Sequence, residues 1–144
     1  MLFRSNPRLT VRGVPSARQP HRVVLSRSGN LPQHAHLFSD RHASRTLIYR
    51  RKSLAAVLKN LGERGVTSVL IEGGGEVFGQ ALDARVIDKV HLYLGPILTA
   101  GPIIAFPGRG AETTASALRL QRISYEQIGQ SVCIIGYPEV RPSE

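Results

Sequence analysis

Several of the residues that narrow a function quickly are scarce in this chain. There is one cysteine, Cys133, in 144 residues, which excludes an internal disulfide and a cysteine-based zinc site and suits a reducing compartment. Long apolar runs are missing: nothing approaches the roughly 20 residues of a membrane span. The first residues also lack the apolar core of a secretory signal, so the sequence reads as cytoplasmic with no membrane partner. Acids are scarce at one end. Residues 1–52 carry eleven Lys and Arg against the single acid Asp40, a balance of +10, whereas the remainder holds eight bases and nine acids, a balance of −1. A basic first third implies an anionic partner: a phosphorylated substrate, a phosphorylated cofactor or nucleic acid. Aromatic residues are few as well, and only Phe3, Phe38 and Tyr49 fall in that basic third. A base-stacking platform is therefore disfavoured, and nucleic acid drops to the last of the three. The Arg- and Ser-bearing N-terminus has the composition of a transit segment, but Pro7, Pro15 and Pro20 interrupt any amphipathic helix there.

What the chain does have is enough apolar sequence, 42%, for one domain with a core. One nearly continuous apolar stretch, Val66 to Ile71, is β-branched and short, the pattern of a strand buried on both faces. Glu72 and three glycines, Gly73, Gly74 and Gly75, follow directly. Val77, Phe78, Ala81 and Leu82 then share one side of a helix. The first turn of a helix leaves main-chain N–H groups unpaired at the positive end of the dipole. Glycines remove the Cβ atoms that would hold a phosphate away from them. A ligand-free strand-to-helix turn fits the same residues. Neither common phosphate fingerprint is met: Phe78 stands where a dinucleotide motif needs glycine, and Gln80 where a P-loop needs lysine. Glu72, a carboxylate at a strand end, reads either as a ligand contact or as an acid solvated at the rim of the sheet.

Elsewhere the elements are short. Leu9 to Val11 suits an extended piece, Gly13 to Pro20 a loop, and Arg22 to Leu25 a strand ended by Ser26 to Asn30. Residues 31–45 read as loop, and their His34, His36 and His42 read as solvated side chains, with no metal site proposed. Thr46 to Tyr49 is a second strand. Ser53 reads as the N-cap of a helix carrying Leu54, Val57, Leu58 and Leu61, ended at Gly62 or Gly65. Lys89 to Leu94 alternates as a strand with one polar face, and a long loop spans 97–110. Leu118–Tyr125 and Ser131–Tyr137 form a C-terminal hairpin, with Cys133 an inert buried thiol. No catalytic residue can be assigned from spacing.

Four segments occur in one order: Asn6-Pro7-Arg8-Leu9-Thr10-Val11-Arg12, Gln19-Pro20-His21-Arg22-Val23-Val24-Leu25, Val69-Leu70-Ile71-Glu72-Gly73-Gly74 and Val86-Ile87-Asp88-Lys89-Val90-His91-Leu92-Tyr93-Leu94-Gly95-Pro96-Ile97-Leu98. Together they resemble the reductase domain of the RibD family of riboflavin-biosynthesis proteins. The resemblance implies an α/β, dihydrofolate-reductase-like sheet with flanking helices and a C-terminal β-hairpin. It implies NADPH-dependent reduction of 5-amino-6-(5-phosphoribosylamino)uracil to its ribitylamino product, in a homodimer. Leu9, Arg12 and Glu72 then correspond to substrate-contacting positions, with Arg12 facing the substrate phosphate. Gly73, Gly74, Gly75, Glu76, Val77, Phe78, Gly79 and Gln80 correspond to the segment that holds the NADPH pyrophosphate, and Arg27 to a cofactor contact whose charge suits the 2′-phosphate.

The departures from the family pattern carry their own expectation. Family domains begin further upstream, with a first strand and a glycine-rich turn; Ser5 and Asn6 stand where an Asp pair is usual, and Ser26 replaces an Asp. The stretch between Tyr49 and Ser53 is short, as though a strand were missing. The expectation is a single partial reductase domain over 1–144 with a basic segment at 1–20 and a tail at 138–144. An inactive or partner-dependent remnant is the alternative, because a sheet without its first strand exposes an edge.

Overall fold

The computed structural model describes residues 5–98 and 105–139. Part of the 97–110 loop and residues 140–144 of the expected tail lie outside them. The chain forms two compact units, residues 1–74 and 75–144.

In the first unit, β1 (Arg22–Ser26) and β2 (Thr46–Arg50) pair in parallel, with Arg22 opposite Thr46 and Ser26 opposite Arg50. Parallel neighbours need a crossover, not a hairpin. Residues 31–45 supply it, and they are not all loop as expected: α1 (His36–Ser39) and a 3-10 turn (Ala43–Arg45) lie within them. No apolar period announces either, because only Leu37 of that helix turn is buried. Leu37 joins Val24 and Leu31 in a small core, with Leu9 and Phe38 packed against it.

Beside that core sits a buried arginine. Arg22 is 2% exposed, and a buried guanidinium is tolerable only when its donors are met. Here all five are: Nη1 and Nη2 donate to the two carboxylate oxygens of Asp40 at 2.7 and 2.9 Å. Nη1 also donates to the Arg8 carbonyl and Nη2 to the Leu37 carbonyl, each at 3.0 Å, and Nε donates to Thr46 Oγ1 at 3.1 Å. One side chain thereby ties the N-terminal segment, α1 and β2 to β1.

α2 (Leu54–Glu63) begins where the sequence puts it: Ser53 Oγ accepts from the Ala56 N–H at 3.3 Å. Leu54, Val57 and Leu61 form its buried face, and Gly65, at φ +77°, lets the chain leave. The Tyr49 hydroxyl donates to Asn60 Oδ1 at 2.7 Å, fastening β2 to α2.

The expected buried strand at Val66 to Ile71 is not formed. The segment belongs to neither sheet of the described residues, and Val69 is 43% and Leu70 79% exposed. A strand exists only through a neighbour's hydrogen bonds and covering side chains, and β-branched sequence supplies neither. Leu70→Asp is accordingly expected to change unfolding free energy by less than about 0.5 kcal/mol, as at an ordinary surface site. Urea titration checks this, since a buried leucine would lose several times more.

In the second unit, α3 (Gly75–Asp83) follows the glycines and β3 (Val90–Leu94), β4 (Leu120–Ile128) and β5 (Ser131–Pro138) form an antiparallel sheet in the order β3-β5-β4. The expected hairpin is present with a tighter turn: Ile128 pairs with Ser131, and Gly129 sits at φ +59°. Cys133 is buried in β5, opposite Tyr93 and Glu126. The middle of α3 packs on residues 106–108. A Cβ added at Gly79 would overlap the Pro107 carbonyl oxygen and lie 2.6 Å from its carbonyl carbon, so only glycine allows this approach. Phe78 meets Phe106 edge to face at 5.9 Å, and Asp83 accepts from the Arg109 and Gly110 N–H groups at 2.9 and 3.4 Å.

Candidate functional site

Parallel strands offer ligand positions at their carboxyl ends, and β1 and β2 end side by side. The Arg51 N–H donates to the Ser26 carbonyl at 3.0 Å and its Nε to the Arg27 carbonyl at 3.4 Å. Ser26 Oγ accepts from the Gly29 N–H at 3.0 Å, rounding off a tight turn after β1. A Cβ at Gly29 would lie 3.5 Å from the Arg50 side chain, so that turn runs beside the last residue of β2. Arg27, Arg50, Arg51 and Lys52 are all exposed at this edge. Four cations on two adjoining strand ends make a local positive field suited to a phosphate monoester. The sequence reading names Arg27 and not the other three. The signal was three consecutive bases directly after a strand, but only the parallel register sets them beside Arg27.

The N-terminal segment holds two more expected residues. Leu9 has its side chain packed on the Val24, Leu31 and Leu37 core and its backbone at φ +49°. That is the left-handed region, which leucine rarely occupies. Its side chain is thus committed to packing, and what it offers a ligand is main chain. The expected extended conformation at Leu9 is not adopted. Arg12 is exposed beyond it. Between them the Val11 N–H donates to Gln19 Oε1 at 2.9 Å and Gln19 Nε2 donates to the Val11 carbonyl at 3.2 Å.

Glu72 is exposed, and with Gly73 and Gly74 it ends the first unit; Gly75 opens α3 in the second. A Cβ added at Gly74 meets nothing within 4 Å, so there is open space beside Gly74 itself. Glu76 lies in the first turn of α3, where its charge opposes the helix dipole favourably. Val77 and Phe78 are half-buried, Gly79 is buried and Gln80 exposed. Of the Gly73–Gln80 segment, Gly74 is exposed with open space beside it, Gly73 and Gly75 are half-buried, and Phe78 and Gly79 are engaged with residues 106–108.

The chain is mixed α/β, with parallel strands in one unit and an antiparallel sheet in the other, and the solved structures it superposes on set it in the class of dihydrofolate-reductase-like folds. It superposes on Acinetobacter baumannii RibD with a TM-score of 0.78 at 23% identity, covering 94% of this chain and 43% of that one. It superposes on a Thermotoga maritima diaminohydroxyphosphoribosylaminopyrimidine deaminase/5-amino-6-(5-phosphoribosylamino)uracil reductase with a TM-score of 0.75 at 21% identity, covering 95% and 42%. In sequence, the riboflavin biosynthesis protein RibD of Mycobacterium tuberculosis H37Rv is 34% identical over 132 residues, 90% of this chain and 38% of that protein. The profile of the RibD C-terminal domain matches residues 1–134. The chain belongs to the RibD C-terminal domain family, and it spans about two fifths of the length of these relatives.

Proposed function

We propose that this chain carries out the reductase half of the RibD reaction pair, the NADPH-dependent reduction of 5-amino-6-(5-phosphoribosylamino)uracil to the ribitylamino product. The supporting observation is the open space at Gly74, directly ahead of α3 in the chain, within a family match that spans residues 1–134. Bound NADPH supplies the hydride; the protein's task is orientation and electrostatics. The main chain at Gly73, Gly74 and Gly75 receives the pyrophosphate, with open space at Gly74 to admit it. Arg27, with Arg50 and Arg51 beside it, receives the 2′-phosphate. Arg12 meets the substrate phosphate, and Glu72 accepts a substrate hydroxyl. We propose a homodimer, because large apolar side chains on one face of the second unit's sheet, Leu92, Leu94 and Tyr125, are exposed.

The experiment is a titration of NADPH and NADH, followed by the absorbance loss of NADPH when the pyrimidine is added. Arg27→Ala is expected to weaken NADPH about tenfold, the worth of one charged hydrogen bond, and to leave NADH within twofold. A wild-type chain with no saturable NADPH binding would refute this reading. Among the described residues no helix is long and apolar enough to cross a membrane.

A further inference from the structure

The segment Asn6 to Arg12 has no helix or strand of its own, so its shape depends on side chains reaching it from elsewhere in the first unit. Three do. Asn6 Oδ1 accepts from the His36 N–H at 2.9 Å, Gln19 brackets Val11 from both sides, and Arg22 Nη1 donates to the Arg8 carbonyl at 3.0 Å. The first two anchors are exposed. The third comes from a buried guanidinium and is part-buried and charge-assisted, and it sits one residue before Leu9, whose positive φ persists only where surroundings over-determine it.

We propose that Arg22 is a positioning residue for recognition of the substrate phosphate: from inside the fold it fixes the Asn6–Arg12 segment and thereby the exposed guanidinium of Arg12. The inference rests on the phosphate-binding role given to Arg12 above. Asp40 orients the fork from the other side, taking one donor from each terminal nitrogen and leaving the second Nη1 donor for Arg8. Lysine cannot reproduce this. Its ammonium has three donors at one point, enough for Asp40 but not for Asp40, two carbonyls and Thr46 together.

The test uses the full chain with Arg22→Lys and, as a second variant that keeps the guanidinium, Asp40→Asn. Substrate and NADPH affinities are measured separately, together with amide exchange over residues 6–12. The expected result is at least a tenfold rise in the substrate dissociation constant, NADPH held within twofold, and at least tenfold faster exchange at Val11. Unchanged substrate affinity in both variants overturns the proposal, and so does a parallel loss of both ligands, which marks general collapse. A wild-type chain that binds neither ligand refutes the functional reading instead. Exchange at residues 6–12 then decides alone whether Arg22 holds the segment: unchanged exchange in both variants overturns it.

Discussion

Gly74→Asp is expected to lower NADPH affinity about a hundredfold, the worth of a carboxylate set roughly 5 Å from a phosphate at an effective dielectric near 20. The substitution is clean because the fold has room for it: a Cβ at Gly74 meets nothing within 4 Å, and the residue is not in the left-handed region. It also directly precedes α3, the position at which aspartate caps a helix well. An Asp there satisfies the amides that the phosphate would use and adds a like charge. Stability and affinity should therefore move in opposite directions, with the urea midpoint equal or slightly higher as binding falls. Gly74→Asn separates the two effects, since it caps without charge and should lose much less. Calorimetric titration of NADPH into the three proteins reads this directly, and equal affinities would remove the glycine turn from the cofactor site.

Asp40→Asn should destabilise the first unit by about 3 kcal/mol at neutral pH, because it leaves the buried Arg22 charge without its counter-ion. The bidentate hydrogen bonds from Arg22 hold the Asp40 carboxyl below its ordinary 3.8, helped by the His42 N–H, against a smaller opposing effect of burial. The sign follows. A carboxyl whose folded pKa is depressed contributes its full stabilisation above the unfolded value near 3.8, and that contribution disappears as pH falls through the lower folded value. The gap between wild type and Asp40→Asn should thus be constant from pH 7 to about 5 and close in stronger acid, where protonated Asp and Asn become nearly equivalent. Denaturant titrations across that range measure it. A gap independent of pH would mean that the pair does not stabilise the fold through charge.

Much of this was legible in one dimension because it depends on near neighbours. The Ser53 cap, the apolar stripe of α2, the alternation of β3 and the hairpin ending in β5 are set within a few residues by capping geometry and side-chain period. The glycine turn opening α3 was readable for the same reason. Val66 to Ile71 was misread because apolar, β-branched composition states what a segment could bury, not whether a neighbour is there to cover it. Arg22 was read as the start of a strand, since nothing in its flanks reveals Asp40 eighteen residues on as its partner.

Sequence alone therefore determined most of the local elements, the cationic first third, the glycine turn and, through the order of four segments, the family. Tertiary structure decided which cations share the carboxyl edge of β1 and β2, that Leu9 points into a core while Arg12 stays in solvent, and that a buried arginine donates to the Arg8 carbonyl just ahead of them. These depend on contacts between residues far apart in the chain, and such contacts exist only once the backbone has closed around them.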